Sequence, residues 1–359
     1  MARGLAVLLM FQTHAYDAYV VPAARATMGF RVTRELGAAP APSFLLLAGV
    51  GLAFGELAMA RAGADVATIR ARFVRRGLEV AATGYVVSAI YALIDRSAAP
   101  ETLLRADILH AIGLGLAVVA ALLVGRAGRR GVLAALGLVV ASLLVPIGLG
   151  DAVARALPAQ AGWAGAWVRT PLALLVDVPG YTRFPLLPLV GFVALGVLVG
   201  RVLAEHGAAL RTGRLLALLT LCLGGAALAS LGTRALVEAL AMGALSRAHP
   251  AVVLNVVDGT LRAGAVLSLG LLCATFLPER VLAPLARFGR GSLLAYGVHI
   301  PGCYGALARP LARRFDLAGA TLALVGLGIA TYAVVFARDT VRDGLRSRRA
   351  SRVAPGGAA

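Results

Sequence analysis

The residues with chemistry to offer come in pairs. His14 and Asp17 are three positions apart, and so are Asp107 and His110. Asn255, Asp258 and Arg262 follow at spacings of three and four, and His299 stands inside a late apolar run. Such spacings put side chains on one face of a helix. A histidine beside a carboxylate is the usual arrangement of a general base, because the carboxylate fixes the imidazole tautomer and stabilises the imidazolium. The same groups can serve as a proton relay. Two His and two Asp at one depth can also hold a divalent ion, and spacing alone does not separate that from acid–base use. No GxSxG nucleophile turn and no GxxxxGKS phosphate loop occurs.

The elements that must position these residues follow from composition. Of 359 residues, 60% are hydrophobic and only 14% charged, and the mean hydropathy is +0.85. A soluble domain is about 45–50% apolar and about 25% charged, so a soluble globular enzyme and a disordered chain are both excluded. The expected fold is all-α: a polytopic integral membrane helical bundle with about ten transmembrane helices. The apolar runs fall at 4–22, 42–60, 77–95, 106–125, 131–150, 184–204, 214–233, 251–277, 290–308 and 318–337. An ionisable group inside such a run costs about 2.5–3.5 kcal/mol on insertion scales, which marks it as a functional candidate. Structural readings stand beside the functional ones. Asp258 and Arg262 can form a buried salt bridge, His299 can be a core histidine, and Asp107 can cap the fourth helix. His14 with Asp17 is the pair hardest to explain structurally. Glu56 and Glu79, near Arg61, Arg75 and Arg76, read as structural ion pairs. Cys222, Cys273 and Cys303 lie within apolar segments and read as small buried hydrophobes.

The formal charge is +18, and every basic residue is Arg. In a soluble protein that balance would suggest nucleic acid. In a membrane protein, basic loops on the cytoplasmic side account for it, and no nucleic-acid partner is expected. With the N-terminus inside, the inner loops are 61–76, 126–130, 201–213 and 278–289, and the C-terminus also lies inside. His14, Asp17, Asp107, His110, Asn255 and Asp258 then fall in the outer halves of their helices, and the first four are expected to line one cavity. His14 and Asp17 in the second half of the first run argue against a cleaved signal peptide. Outer loops are expected at 23–41 and 151–183, the second interfacial through Trp163, Trp167 and Tyr181. Residues 1–340 read as a single transmembrane domain and 341–359 as a basic, disordered tail.

Several stretches resemble a known family. Arg3-Gly4-Leu5-Ala6-Val7-Leu8-Leu9-Met10 followed by His14 is similar to the first helix of polytopic transmembrane acyltransferases. The match is to the bacterial branch of the heparan-alpha-glucosaminide N-acetyltransferase-like family. Ser43 to Gly49 resembles its second helix, and Arg105 to Leu114 its "R-x-D-I-L-x-x-I-G" segment. Phe184 to Gly191 resembles its "FPLFPWxG" segment, and Gly289 to Tyr296 with His299 its "GRxSLxxYxxH" segment. The family usually has a polar stretch with an Asp before the first helix, whereas only Met1 and Ala2 precede Arg3 here.

The resemblance implies transfer of an acyl group, typically acetyl, from cytoplasmic acetyl-CoA or another acyl-CoA to a hydroxyl or amine of a glycan or similar small acceptor. It implies no resident metal. His14 is the expected base or transient acyl carrier, oriented by Asp17, with Asp107 and His110 completing the site. Arg105, Asn255, Asp258, Arg262 and His299 are expected to bind substrate. Arg290 and Ser292, where the ninth helix begins, are expected to meet the donor. The expected location is the bacterial cytoplasmic membrane, with the bilayer as partner. Two other readings use the same residues: a proton-coupled transporter and a non-catalytic membrane scaffold.

Overall fold

The computed structural model describes residues 1–94, 107–156, 172, 174–176, 184–207, 210–241 and 249–353. Arg105 and most of the loop 151–183, with Trp163, Trp167 and Tyr181, lie outside the described residues.

The protein is all-α. The helices are α1 (Ala2–Tyr19), α2 (Met28–Leu36), α3 (Pro40–Arg61), α4 (Val66–Ile94), α5 (Ile108–Leu123), α6 (Gly128–Ala156) and α7 (Leu186–His206). They continue with α8 (Thr212–Ala241), α9 (His249–Phe276), α10 (Glu279–Arg290), α11 (Ser292–Cys303) and α12 (Leu317–Val353). Each apolar run of the sequence overlaps a helix, but three helices outrun their expected bounds: α4 starts 11 residues before the run at 77–95, α8 ends 8 residues after the run at 214–233, and α12 ends 16 residues after the run at 318–337. Among the described residues, seven spans are long and apolar enough to cross a membrane, the first running Met28–Arg61 over α2 and α3. The protein is therefore an integral multi-pass membrane protein. The count of ten is approximate, because α5 is a shorter apolar helix and neither α1 nor α11 reaches the length and hydropathy of a span.

Two short helices interrupt expected loops. Within 23–41, a 3-10 turn (Pro22–Ala26) leads into α2, which Thr27 caps by accepting from the Phe30 N–H. Before α11 stands α10, whose start Pro278 marks. The basic segment after 340 continues α12 as helix to Val353.

The chain divides into two compact units. Of the described residues, the first holds 3–37 and 273–353. In it, α1 is gripped at both ends. Near its start, a Cβ on Gly4 would lie 2.1 Å from the Leu285 carbonyl oxygen, so only glycine lets α10 approach this closely. At its other end α1 is joined to the segment leading into α12: Val21 N–H donates to Phe315 O at 2.8 Å, and Phe315 N–H to Tyr19 O at 3.1 Å. Tyr19 and Tyr16 add hydroxyl bonds to Gly302 O (2.6 Å) and Thr321 Oγ1 (2.8 Å), tying α1 to α11 and α12. Ala15, Tyr16, Ala18, Tyr19, Val20 and Cys303 are buried together there.

The second unit holds residues 38–272. Its tightest seam joins α3 to α7, where a Cβ on Gly49 would meet Val193 O at 2.0 Å and one on Gly196 would meet Leu46 O at 2.0 Å. Small residues at such crossings allow close helix packing in lipid. Glu56 on α3 accepts from Gly125 N–H (2.7 Å) and from Arg201 on α7 (3.2 Å), fixing the turn after α5. Arg201, rather than Arg61, is thus its ion-pair partner. Glu79 pairs with Arg75 and Arg76 as expected.

Candidate active site

In the first unit, α1 and α11 bring two histidines together. His14 Nδ1 lies 2.7 Å from His299 Nε2. The ring planes differ by 5° and the centroids are 5.0 Å apart. That separation exceeds the N···N distance by about two ring radii, so the rings lie side by side in nearly one plane and the contact follows the in-plane lone-pair direction of a hydrogen bond. His299 is fully buried, at 0% exposure. Its walls are Phe11, 4.9 Å away between centroids, and Tyr296, 5.7 Å away and edge-on. Its Nδ1 is 2.9 Å from Ala295 O, one turn back on α11. His14 is half-buried, so one histidine of the pair is enclosed and the other is reachable.

Asp17 stands one turn beyond His14 on α1. It accepts from Tyr304 Oη at 2.9 Å and pairs with Arg25 at 3.7 Å, with 59% of the side chain exposed. Arg25 also donates to the Val20 and Asp17 carbonyls, holding the 3-10 turn against the end of α1. Tyr304 links the two groups, because its ring meets the His14 ring edge-on at 5.6 Å while its hydroxyl binds Asp17. Tyr304 can do this because α11 ends at Cys303 and Tyr304 itself is extended, with φ −134° and ψ 156°.

His299, expected to bind substrate, is here a partner of His14, and Tyr304 and Arg25 join the site without any signal in the sequence spacing. The Tyr296-x-x-His299 spacing was visible. The pairing of His14 with His299 was not, since 285 positions separate them.

Asp107 and His110 belong to the second unit and form a reciprocal cap on α5. The Asp107 side chain accepts from Ile108 N–H at 2.7 Å, and His110 Nδ1 accepts from Asp107 N–H at 3.1 Å. This is a capping box with histidine in the place usually taken by Glu or Gln. His110 is 1% exposed. Its ring lies edge-on to Tyr85 at 4.2 Å, and Gly84 leaves room for it. An imidazole whose Nδ1 accepts this bond carries its neutral-state proton on Nε2, so it has no second lone pair to offer a substrate.

Asp258 and Arg262 form an ion pair whose side chains are only 16% and 11% exposed. Arg262 Nε donates to both Asp258 oxygens, at 2.9 and 2.8 Å, and Arg262 Nη2 donates to Ser230 Oγ on α8 at 2.6 Å. Ser230 closes the ring onto Asp258 at 3.2 Å. Asn255, on the same helix, is exposed.

Arg290 ends α10 and Ser292 begins α11, with Gly291 between them. Arg290 is exposed. Its neighbours are committed elsewhere: Arg287 donates to Tyr332 Oη at 2.7 Å and pairs with Asp339 at 3.6 Å, and Arg338 also bonds Asp339.

Residues 1–237, more than half of the chain, match the family model described as heparan-alpha-glucosaminide N-acetyltransferase, catalytic. The matched stretch contains His14, Asp17, Arg105, Asp107 and His110, while Asn255, Asp258, Arg262, Arg290, Ser292 and His299 follow it. No curated protein matches the chain.

Proposed function

From the premise that the chain belongs to the heparan-alpha-glucosaminide N-acetyltransferase catalytic-domain family, and so is a membrane acyltransferase, we propose that it moves an acetyl group from cytoplasmic acetyl-CoA to a hydroxyl or amine of a glycan or similar acceptor, with His14 as the general base. The observation that carries this reading is the reachable His14 imidazole held in place by the enclosed His299. The acceptor O–H or N–H attacks the thioester carbonyl and gives its proton to His14. The C–S bond then breaks, and the leaving thiolate takes a proton from the imidazolium, which restores the base. Asp17, bound to Tyr304 and Arg25, places a negative charge one helical turn from the imidazolium.

The donor site belongs with Arg290 and Ser292. A helix start presents free N–H groups that favour anions, and Arg grips phosphate through paired hydrogen bonds. Arg290 is exposed for that purpose, whereas Arg287 and Arg338 are engaged by Asp339. Arg-rich loops such as 61–76 and 126–130 favour a cytoplasmic N-terminus and C-terminus in a bacterial inner membrane.

The test is His14→Ala, assayed with acetyl-CoA against a panel of glycans. Turnover should fall about 10²–10⁴-fold, the usual worth of a positioned base, with the thermal midpoint in detergent unchanged. Parent activity should also fall as pH is lowered, because a protonated imidazole has no lone pair to lend. A folded His14→Ala protein with parental turnover would eliminate the reading.

A further inference from the structure

We infer that His299 is a positioning residue: it locks His14 in the tautomer that carries the proton on Nδ1, and so directs the basic lone pair onto Nε2. The inference deepens the reading of His14 as the base and rests on it.

The argument is one of donors and acceptors. A carbonyl oxygen only accepts, so at the 2.9 Å contact with Ala295 O the proton belongs to His299 Nδ1. A neutral imidazole with its proton on Nδ1 has a bare Nε2. That Nε2 is the atom 2.7 Å from His14, so His14 Nδ1 must be the donor. The remaining nitrogen of neutral His14, Nε2, then holds the lone pair. One backbone carbonyl of α11 thereby sets the tautomer of a histidine on α1, through a chain of two hydrogen bonds.

Burial makes the chain directional. His299 is sealed between Phe11 and Tyr296 and is fully buried, so it keeps one orientation and one proton position. An orienting histidine differs from the carboxylate of the usual triad in a way that matters within a span, because it carries no charge that must be desolvated. It fixes geometry, whereas the triad carboxylate also stabilises the imidazolium by its charge.

Two substitutions separate this from a packing role. His299→Leu removes the acceptor, while His299→Gln keeps an amide oxygen able to reach the position of Nε2. His299→Leu should lower kcat about 10²-fold or more, with KM for acetyl-CoA and for the acceptor near parental values. His299→Gln should recover a large part of that loss. Equal activity of the two variants, or a folded His299→Leu protein with parental kcat, would overturn the inference. A spectroscopic arm holds even if His299→Leu does not fold. The chain has five histidines, so ¹⁵N-histidine spectra of the parent protein, assigned with His14→Ala, report the His14 tautomer directly. Protonated Nδ1 and bare Nε2 on His14 are expected, and the reverse overturns the inference. The base reading fails separately: if His14→Ala is fully active, His14 is not the base. If His14→Ala is inactive and His299→Leu is not impaired, only the positioning role is lost.

Discussion

Tyr304 touches both His14 and Asp17, and so links the base to a carboxylate. Its hydroxyl donates to Asp17 at 2.9 Å while its ring edge meets the His14 ring. Removing that hydroxyl by Tyr304→Phe and removing its acceptor by Asp17→Ala break the same link. Both should reduce turnover modestly, by less than His14→Ala, and the double variant should lose little more than either single one. Non-additivity is expected of residues that act as one unit. Fully multiplicative losses in such a cycle would show two independent roles. This residue scale is where the sequence was least legible. The spacing of three between His14 and Asp17 places both on one face of α1, but it does not say which group each side chain meets. The end of α11 decides that for Asp17, and a partner 285 positions away decides it for His14. The same spacing at Asp107 and His110 belongs to a capping box, because residues at the N-cap and N3 of a helix are three apart by construction.

At the scale of elements, apolar periodicity was a reliable guide to the long helices, since each must bury or lipidate a continuous apolar stretch of known length. It was a poor guide to α2 and α10, whose 9 and 12 residues mix charged with apolar side chains and read as loop. Helix pairing was also hidden, because it depends on where glycines face each other. The α3–α7 seam tests this. A Cβ at Gly196 would sit 2.0 Å from Leu46 O, a backbone atom that cannot move aside cheaply, whereas a Cβ at Gly224 on α8 meets nothing within 4 Å. Gly196→Val should lower stability by about 1–3 kcal/mol or more, the usual cost of overpacking. Gly224→Val should be close to neutral. Thermal unfolding of the two proteins in the same detergent checks this, and equal midpoints would show that the seam opens without penalty.

Across the whole molecule, charge and hydrophobicity divide the labour. Among the described residues, seven spans satisfy length and hydropathy and carry the protein in the bilayer. The buried histidines His110 and His299, and His14 beside the latter, sit on α5, α11 and α1, which are not among those spans, whereas His206 and His249 stand at the ends of α7 and α9. A polar group inside a helix at membrane depth is costly, so the enclosed His110 and His299 are themselves a sign of function or of buried structural work. The +18 net charge is the other whole-molecule feature, and it bears on a donor rich in phosphate. If Arg290 meets that donor, Arg290→Gln should raise KM for acetyl-CoA severalfold and leave kcat within about twofold of the parent, since phosphate contacts remote from the thioester bind ground and transition states alike. The effect should shrink as salt is added, because exposed charge pairs are screened over about 10 Å at 0.1 M. An exposed arginine outside the donor site, such as Arg75 at 78% side-chain exposure, supplies the control, and Arg75→Gln should leave KM unchanged. Equal donor KM in the parent and Arg290→Gln proteins at low salt would remove Arg290 from the donor site and leave the start of α11 without its proposed ligand.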